Sequence, residues 1–198
     1  MSEDYFATPA SRKGIEDKAA AWRQALRVAP DCYTPNISQI LEIELPTVFP
    51  SFALVVGLHD QDDIVEAYTS FDPPKIVVRE DIYLDCVAHK PRARFTLAHE
   101  LGHLVLHKNA MPLHRAPEQY VRADKILPFA SVEWQANAFA AAFLMPAQLV
   151  REFDNPADIS EFFQVSHGAA VTRMKTLGIQ KARFIPDDVR NDIENLTK

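Results

Sequence analysis

The run Arg94-Phe95-Thr96-Leu97-Ala98-His99-Glu100-Leu101-Gly102-His103-Leu104-Val105-Leu106-His107 constrains this chain most. Wound as a helix, it is apolar on nearly all sides, which marks a buried central element that others must wrap. The same run carries histidines and a glutamate, and unpaired polar or charged groups are costly to bury. A metal ion resolves the conflict. His99 and His103 are four residues apart and share one helix face, so both imidazoles can reach one ion. Glu100 sits beside that face, near enough to touch a water on the ion without being a ligand. The pattern is H-E-x-x-H, whose chemistry is metal-assisted hydrolysis. Zinc lowers the pKa of a bound water and polarises a carbonyl. The carboxylate then takes the proton of that water and passes it to the leaving amine.

Other assignments stay open on the residues alone. His103 and His107 are also four apart, and Leu104 would then occupy the place of the base, giving a metal site without catalysis. We prefer His99 with His103, and read His107 as a helix-end residue standing behind the ligands. The extended metzincin pattern needs Gly and His where this chain has Leu106 and Asn109, so that class is excluded. The third ligand is expected from Glu133, at the start of the alanine-rich helix 132–144. Two such helices side by side would form a His2Glu site with one open position. Asn137, one turn after Glu133, can hold a ligand histidine by its other ring nitrogen. Zinc suits two nitrogens and one oxygen, and manganese or iron also suits a site with a carboxylate and open positions. Tyr83, His114, Arg115 and Tyr120 are candidates to stabilise an oxyanion, and no spacing chooses among them.

The rest of the chain frames this helix. Residues 1–13 read as a flexible lead. From Gly14 the pattern turns helical, with Ile15, Ala19, Trp22 and Leu26 on one face. Asn36 with Gln39 can cap a helix that stops before Pro46. Three extended segments follow, at 52–58, 64–71 and 76–79, with turns at Asp60–Asp63 and Asp72-Pro73-Pro74. They predict a small antiparallel or mixed sheet. Residues 109–130 hold Pro112, Pro117 and Pro128 and read as a long excursion. Asn155-Pro156 and Ser166 start two further helices, the second stopped by Gly178, and the tail from Pro186 is polar. The expected fold is α+β. Its zincin-like core is a small sheet plus the H-E-x-x-H helix, followed by a helix-turn-helix-like module. The expected division is a peptidase domain over 14–153 and a helical module with tail over 154–198.

Composition removes several alternatives. A net charge of −6 over 198 residues gives no general attraction to nucleic acid. Residues 151–185 carry five Lys/Arg against four Asp/Glu, so the terminal module is not a basic DNA reader and direct nucleic-acid binding is not expected. Cys32 and Cys86 form no disulfide framework or cysteine metal site, and two free thiols fit a reducing compartment. The start lacks the basic and apolar pattern of a signal peptide, and the longest apolar stretch is too short for a bilayer. A cytoplasmic protein, with no membrane partner, is the expectation.

Taken together, residues 94–107 (RFTLAHELGHLVLH) and 133–146 (EWQANAFAAAFLMP) resemble the ImmA/IrrE family of metallo-endopeptidases. The resemblance extends upstream to Lys75–Val78 with Tyr83. Downstream it reaches Phe163–Ser166 with Arg173, Leu177 and Gly178. It implies His99, His103 and Glu133 as metal ligands and Glu100 as the catalytic base. It also implies a protein substrate, a helix-turn-helix repressor or antitoxin. The setting would be a regulatory switch in a mobile element, prophage, stress response or toxin–antitoxin pair. The rival expectation is a metal-bound regulatory protein that docks a partner with little proteolysis. Such a module has no use for a carboxylate at position 100.

Overall fold

The structure is a computed structural model, and its description covers residues 5–57, 65–112, 117–122 and 125–179. The Asp60–Asp63 turn, Ile64, His114, Arg115 and the tail from Pro186 lie outside the described residues.

Helix α1 spans Arg12–Ala25, starting where the Ser11 hydroxyl accepts the Gly14 amide. It buries Ile15 and Ala19, with Leu26 just past its end. A second helical stretch, α2, runs over 37–48 from the cap at Asn36. It does not stop before Pro46 as expected. The backbone widens into a π-helical turn at Ile40–Glu44, Leu45 N–H bonds back to the Ile40 carbonyl, and the helix continues to Val48. A wide turn ahead of a residue with no N–H lets the proline in without a break.

The sheet is mixed. Strand β2 is Ala53–Gly57, β3 is Ala67–Phe71 and β4 is Pro74–Arg79. Their order is β2-β4-β3, with β2 parallel and β3 antiparallel to the central β4. Ile76 and Val78 of β4 point into the core at 0% and 1% exposure, as period-2 alternation on a half-buried strand requires. Helix α3 (Glu80–Val87) leads into the motif helix α4 (Pro91–Leu106), which has proline at its first position. Helix α5 (Val132–Leu144) is capped by Ser131 and packs along α4. Short α6 (Ala147–Val150) follows. Then α7 (Pro156–Phe163) and α8 (His167–Thr176) are capped by Asn155 and Ser166, the latter ending at Gly178 with φ +66°. The α+β architecture, with its small sheet, buried motif helix and terminal helix-turn-helix-like pair, is the one the sequence predicts.

Two parts of the chain are more firmly joined to the core than expected. Residues 5–10 are not a loose lead. Strand β1 (Tyr5–Phe6) pairs antiparallel with a short strand at Met111–Pro112. The Ala7 and Ala10 amides bond to the carbonyls of Ala130 and Phe129 at 2.8 and 2.9 Å. Phe6 is buried with Ile126 and Ala130 and stacks on Tyr120. Much of the 109–130 excursion is thereby pinned. The α7–α8 pair likewise shares the main core. Ile159, Phe163, Val165, Ala170 and Met174 belong to the same buried cluster as Leu97, Leu101, Phe139 and Phe143. Position 153 is therefore no break in packing. Once a helix pair is amphipathic, sequence alone cannot say whether its apolar face closes on itself or on the rest of the chain.

Candidate metal centre

Helices α4 and α5 set the site because they approach closely. Gly102 faces α5, and a Cβ there would lie 3.1 Å from the Ala136 carbonyl oxygen and 3.2 Å from Phe139 Cδ1. That approach brings the first turn of α5 up to the two histidines of α4. His99 Nε2 and His103 Nε2 lie 2.9 Å apart. The Glu133 carboxylate oxygens lie 3.5 Å from the first and 3.4 Å from the second. These three side chains are half-buried, and among the described residues they form a group able to hold one ion.

Each imidazole is also held from behind. Asn137 Oδ1 lies 3.1 Å from His99 Nδ1 and accepts its proton, leaving the Nε2 lone pair toward Glu133. His103 Nδ1 lies 3.0 Å from His107 Nδ1, and His107 Nε2 lies 3.3 Å from Gln135 Oε1. His107 thus meets His103 at the ring nitrogen opposite the one that faces Glu133. Two lone pairs 2.9 Å apart beside a carboxylate repel one another unless a cation lies among them. The donor set, two nitrogens and one carboxylate, fits a borderline ion such as zinc.

The titration behaviour agrees with a cation-seeking site. Burial opposes charge on His99, but the hydrogen bond the protonated ring would give Glu133 and the charges of Glu100 and Glu133 outweigh it, so its pKa is raised. Hydrogen bonds that His103 and His99 would donate once protonated, together with their charge, hold Glu133 well below the usual carboxylate range. Burial and the neighbouring His103 push His107 down to about 4, so it is neutral near pH 7.

Glu100 is only 7% exposed. Thr69 of β3 donates to its carboxylate Oε2 at 2.7 Å, within reach also of its backbone carbonyl at 2.9 Å. Thr69 and Gln135 have no counterpart in the sequence reading. Gln135 carried one signal, a polar residue buried in an alanine-rich helix. Thr69 carried none, since its role depends on a strand 31 residues before Glu100 crossing the motif helix. Of the oxyanion candidates, Tyr83 donates to Glu42, and Tyr120 stacks on Phe6. Among the described residues, a cleft of about 440 Å³ reaches the site only at Asn137, and is lined by Phe95, Trp134 and Ala138 together with the charged Arg12, Glu16 and Arg173.

Comparison with known proteins is consistent with this geometry. A peptidase-family model described as the IrrE N-terminal-like domain (family M78) matches residues 51–175, well over half of the chain. Among solved structures, a Mycobacterium tuberculosis transcriptional regulator is similar, with a TM-score of 0.57 and 16% identity over 81% of this chain. The match spans 46% of that regulator, so this chain covers less than half its length. No curated protein sequence matches.

Proposed function

Because the chain belongs to the IrrE N-terminal-like domain family of peptidases, we propose that it is a zinc-dependent endopeptidase that cleaves one protein partner. The partner is a helix-turn-helix repressor or antitoxin, and cleavage acts as a regulatory switch. The observation that carries the reading is the convergence of His99 Nε2, His103 Nε2 and the Glu133 carboxylate beside the buried Glu100. A bound ion would supply Lewis-acid polarisation of the scissile carbonyl and of the attacking water.

The chain's own residues supply the remainder. His99, His103 and Glu133 would hold the ion. Glu100 takes a proton from the attacking water and delivers it to the leaving amine nitrogen. Thr69 holds Glu100 Oε2, which would leave Oε1 for the water. Asn137 and His107 orient the ligand rings. The cleft beside Phe95 and Trp134 suits an apolar side chain of the substrate.

One observation is in keeping with the regulatory setting, and others with the remaining parts of the reading. A solved transcriptional regulator shares the fold. Cys32 and Cys86 are free thiols, which suits the cytoplasm. Among the described residues no helix is long and apolar enough to cross a membrane. The buried, hydrogen-bonded Glu100 favours an enzyme over a purely docking protein, because a docking site needs no base there.

Glu100→Gln tests the proposal. An amide cannot accept the proton, so cleavage of a helix-turn-helix repressor that the wild type cuts should fall by about a hundredfold or more. Metal content and fold should be retained. Mass spectrometry of the repressor, with and without zinc, reads the outcome. Wild-type cleavage by Glu100→Gln, or none by the wild type with zinc, refutes it.

A further inference from the structure

The polar groups behind His103 form a chain with a direction, and the direction can be read from its far end. Gln135 is 2% exposed and sits in the first turns of α5. Its Nε2 donates to two backbone carbonyls, Thr8 O and Phe129 O, both at 2.9 Å. Two acceptors on one side require the amide NH2 there, so Oε1 must be the atom facing His107. An oxygen accepts, so His107 Nε2 carries the proton. His107 is 3% exposed, and as a neutral ring its Nδ1 is then a bare acceptor. That acceptor lies 3.0 Å from His103 Nδ1, which must donate. The lone pair of His103 is left on Nε2, the atom facing His99 and Glu133.

We propose that Gln135 is a positioning residue that acts through His107 to fix the tautomer of His103 and keep the metal-ligating nitrogen bare. The inference rests on the metal-centre reading given above. Metal-binding histidines generally pass their second N–H to a carboxylate, carbonyl or water. Here the receiver is a neutral histidine, which can present either tautomer. It needs a further group to set its polarity, and Gln135 is that group. If Gln135 Oε1 is removed, His107 can move its proton to Nδ1, and His103 must then carry its own on Nε2, where it blocks the ion. The anchors give the device reach. Thr8 belongs to the N-terminal segment held between β1 and α1, and Phe129 to the turn that precedes α5. Docking of that segment thereby bears on a ligand it does not touch.

The test uses the full chain with ¹⁵N-labelled histidine. Long-range ¹H–¹⁵N correlation spectra of the zinc-free protein, in mildly alkaline buffer, read which ring nitrogen of His103 carries hydrogen. Zinc affinity is read by competition with a chromogenic chelator. The wild type should show His103 protonated on Nδ1. His107→Gln keeps an acceptor toward His103 and a donor toward Gln135, so it should keep that tautomer and bind zinc within about threefold of wild type. His107→Phe and Gln135→Met should lose the single tautomer and weaken zinc by about 10- to 100-fold. A purely structural role would give the two His107 variants equal losses. Hydrogen on His103 Nε2 in the wild type overturns the inference, whether or not any variant folds. So does wild-type zinc affinity in both His107→Phe and Gln135→Met. Zinc lost in His107→Gln, with the Nδ1–H tautomer intact, also overturns it by making His107 a ligand. Failure of the underlying reading looks different: zinc binding would be absent in the wild type or indifferent to His99→Ala and Glu133→Ala.

Discussion

Replacing Gly102 by alanine tests whether the helix contact sets the metal geometry. The new Cβ would meet Ala136 O at 3.1 Å, Ala136 Cα at 3.2 Å and Phe139 Cδ1 at 3.2 Å. Comfortable carbon contacts lie at about 3.5–4.0 Å, so α4 and α5 must part by a few tenths of an ångström. Two terms oppose each other in stability. Alanine in a helix interior gains about 1 kcal/mol over glycine. Overpacking a close contact costs about 1–3 kcal/mol. The net is a loss of about 0–2 kcal/mol, which urea denaturation of the metal-free protein measures. Metal binding should suffer more than stability. Glu133 lies one turn before Ala136 on the helix that must move, and its oxygens are already 3.4 and 3.5 Å from the ring nitrogens. Ligand distances tolerate about 0.2 Å, so an affinity loss of about tenfold or more is expected by chelator competition. A Gly102→Ala protein of wild-type stability and affinity would refute the idea that close approach at this glycine builds the site.

Three further outcomes follow from the packing and electrostatics. Arg94→Met removes the donor from the carbonyls of Phe163, Gln164 and Pro35, so urea denaturation should show a loss of about 3 kcal/mol; a loss below about 1 kcal/mol contradicts this. In metal-free protein His99 should titrate above the ordinary imidazole range by NMR, and Glu133→Gln should lower that pKa. A proton on His99 competes with the ion, so metal affinity should fall as pH drops through this raised pKa and be recovered above it; pH-independent binding would sink the argument. A chain ending at residue 155 should fail to fold by circular dichroism, because it lacks Ile159, Phe163 and Met174 of the core and strands the guanidinium of Arg94; a cooperative unfolding transition in that fragment would show the helix pair to be dispensable.

The motif helix was legible in the sequence because two signals coincided in it: an apolar run with no polar face, and three chemistry-bearing residues at i, i+1 and i+4 spacing. The placing of Glu133 and Asn137 beside the two histidines was legible too, since helical spacing fixes their shared face. Caps at Asn36, Asn155 and Ser166 were readable because their chemistry is local. What was hidden depends on contacts between distant parts of the chain. Thr69 meets Glu100 only because β3 crosses α4. Phe6 looked like part of a loose lead until Met111–Pro112 and Ser131 supplied its strand partners. The π turn before Pro46 could not be seen because a proline normally ends a helix, and the wide turn that admits it has no sequence mark.

A buried helix bearing charged and titratable groups is stable only if each has a partner. The partners of α4 come from every side. Arg94 gives its N–H groups to the end of α7 and to Pro35. Such carbonyls at a helix C-terminus otherwise lack donors. Glu100 is held by the sheet through Thr69, His99 by α5 through Asn137, and His103 by the N-terminal segment through His107 and Gln135. None of these partners is cationic at the ligand face. The lone pairs of two imidazoles and the carboxylates of Glu133 and Glu100 therefore concentrate negative potential there, while Arg94 lies one to two turns away with its charge spent on carbonyls. The same wiring that partners most of the buried helix leaves Arg94 Nε without an acceptor among the described residues and gathers His99, His103 and Glu133 into a group that a cation would satisfy.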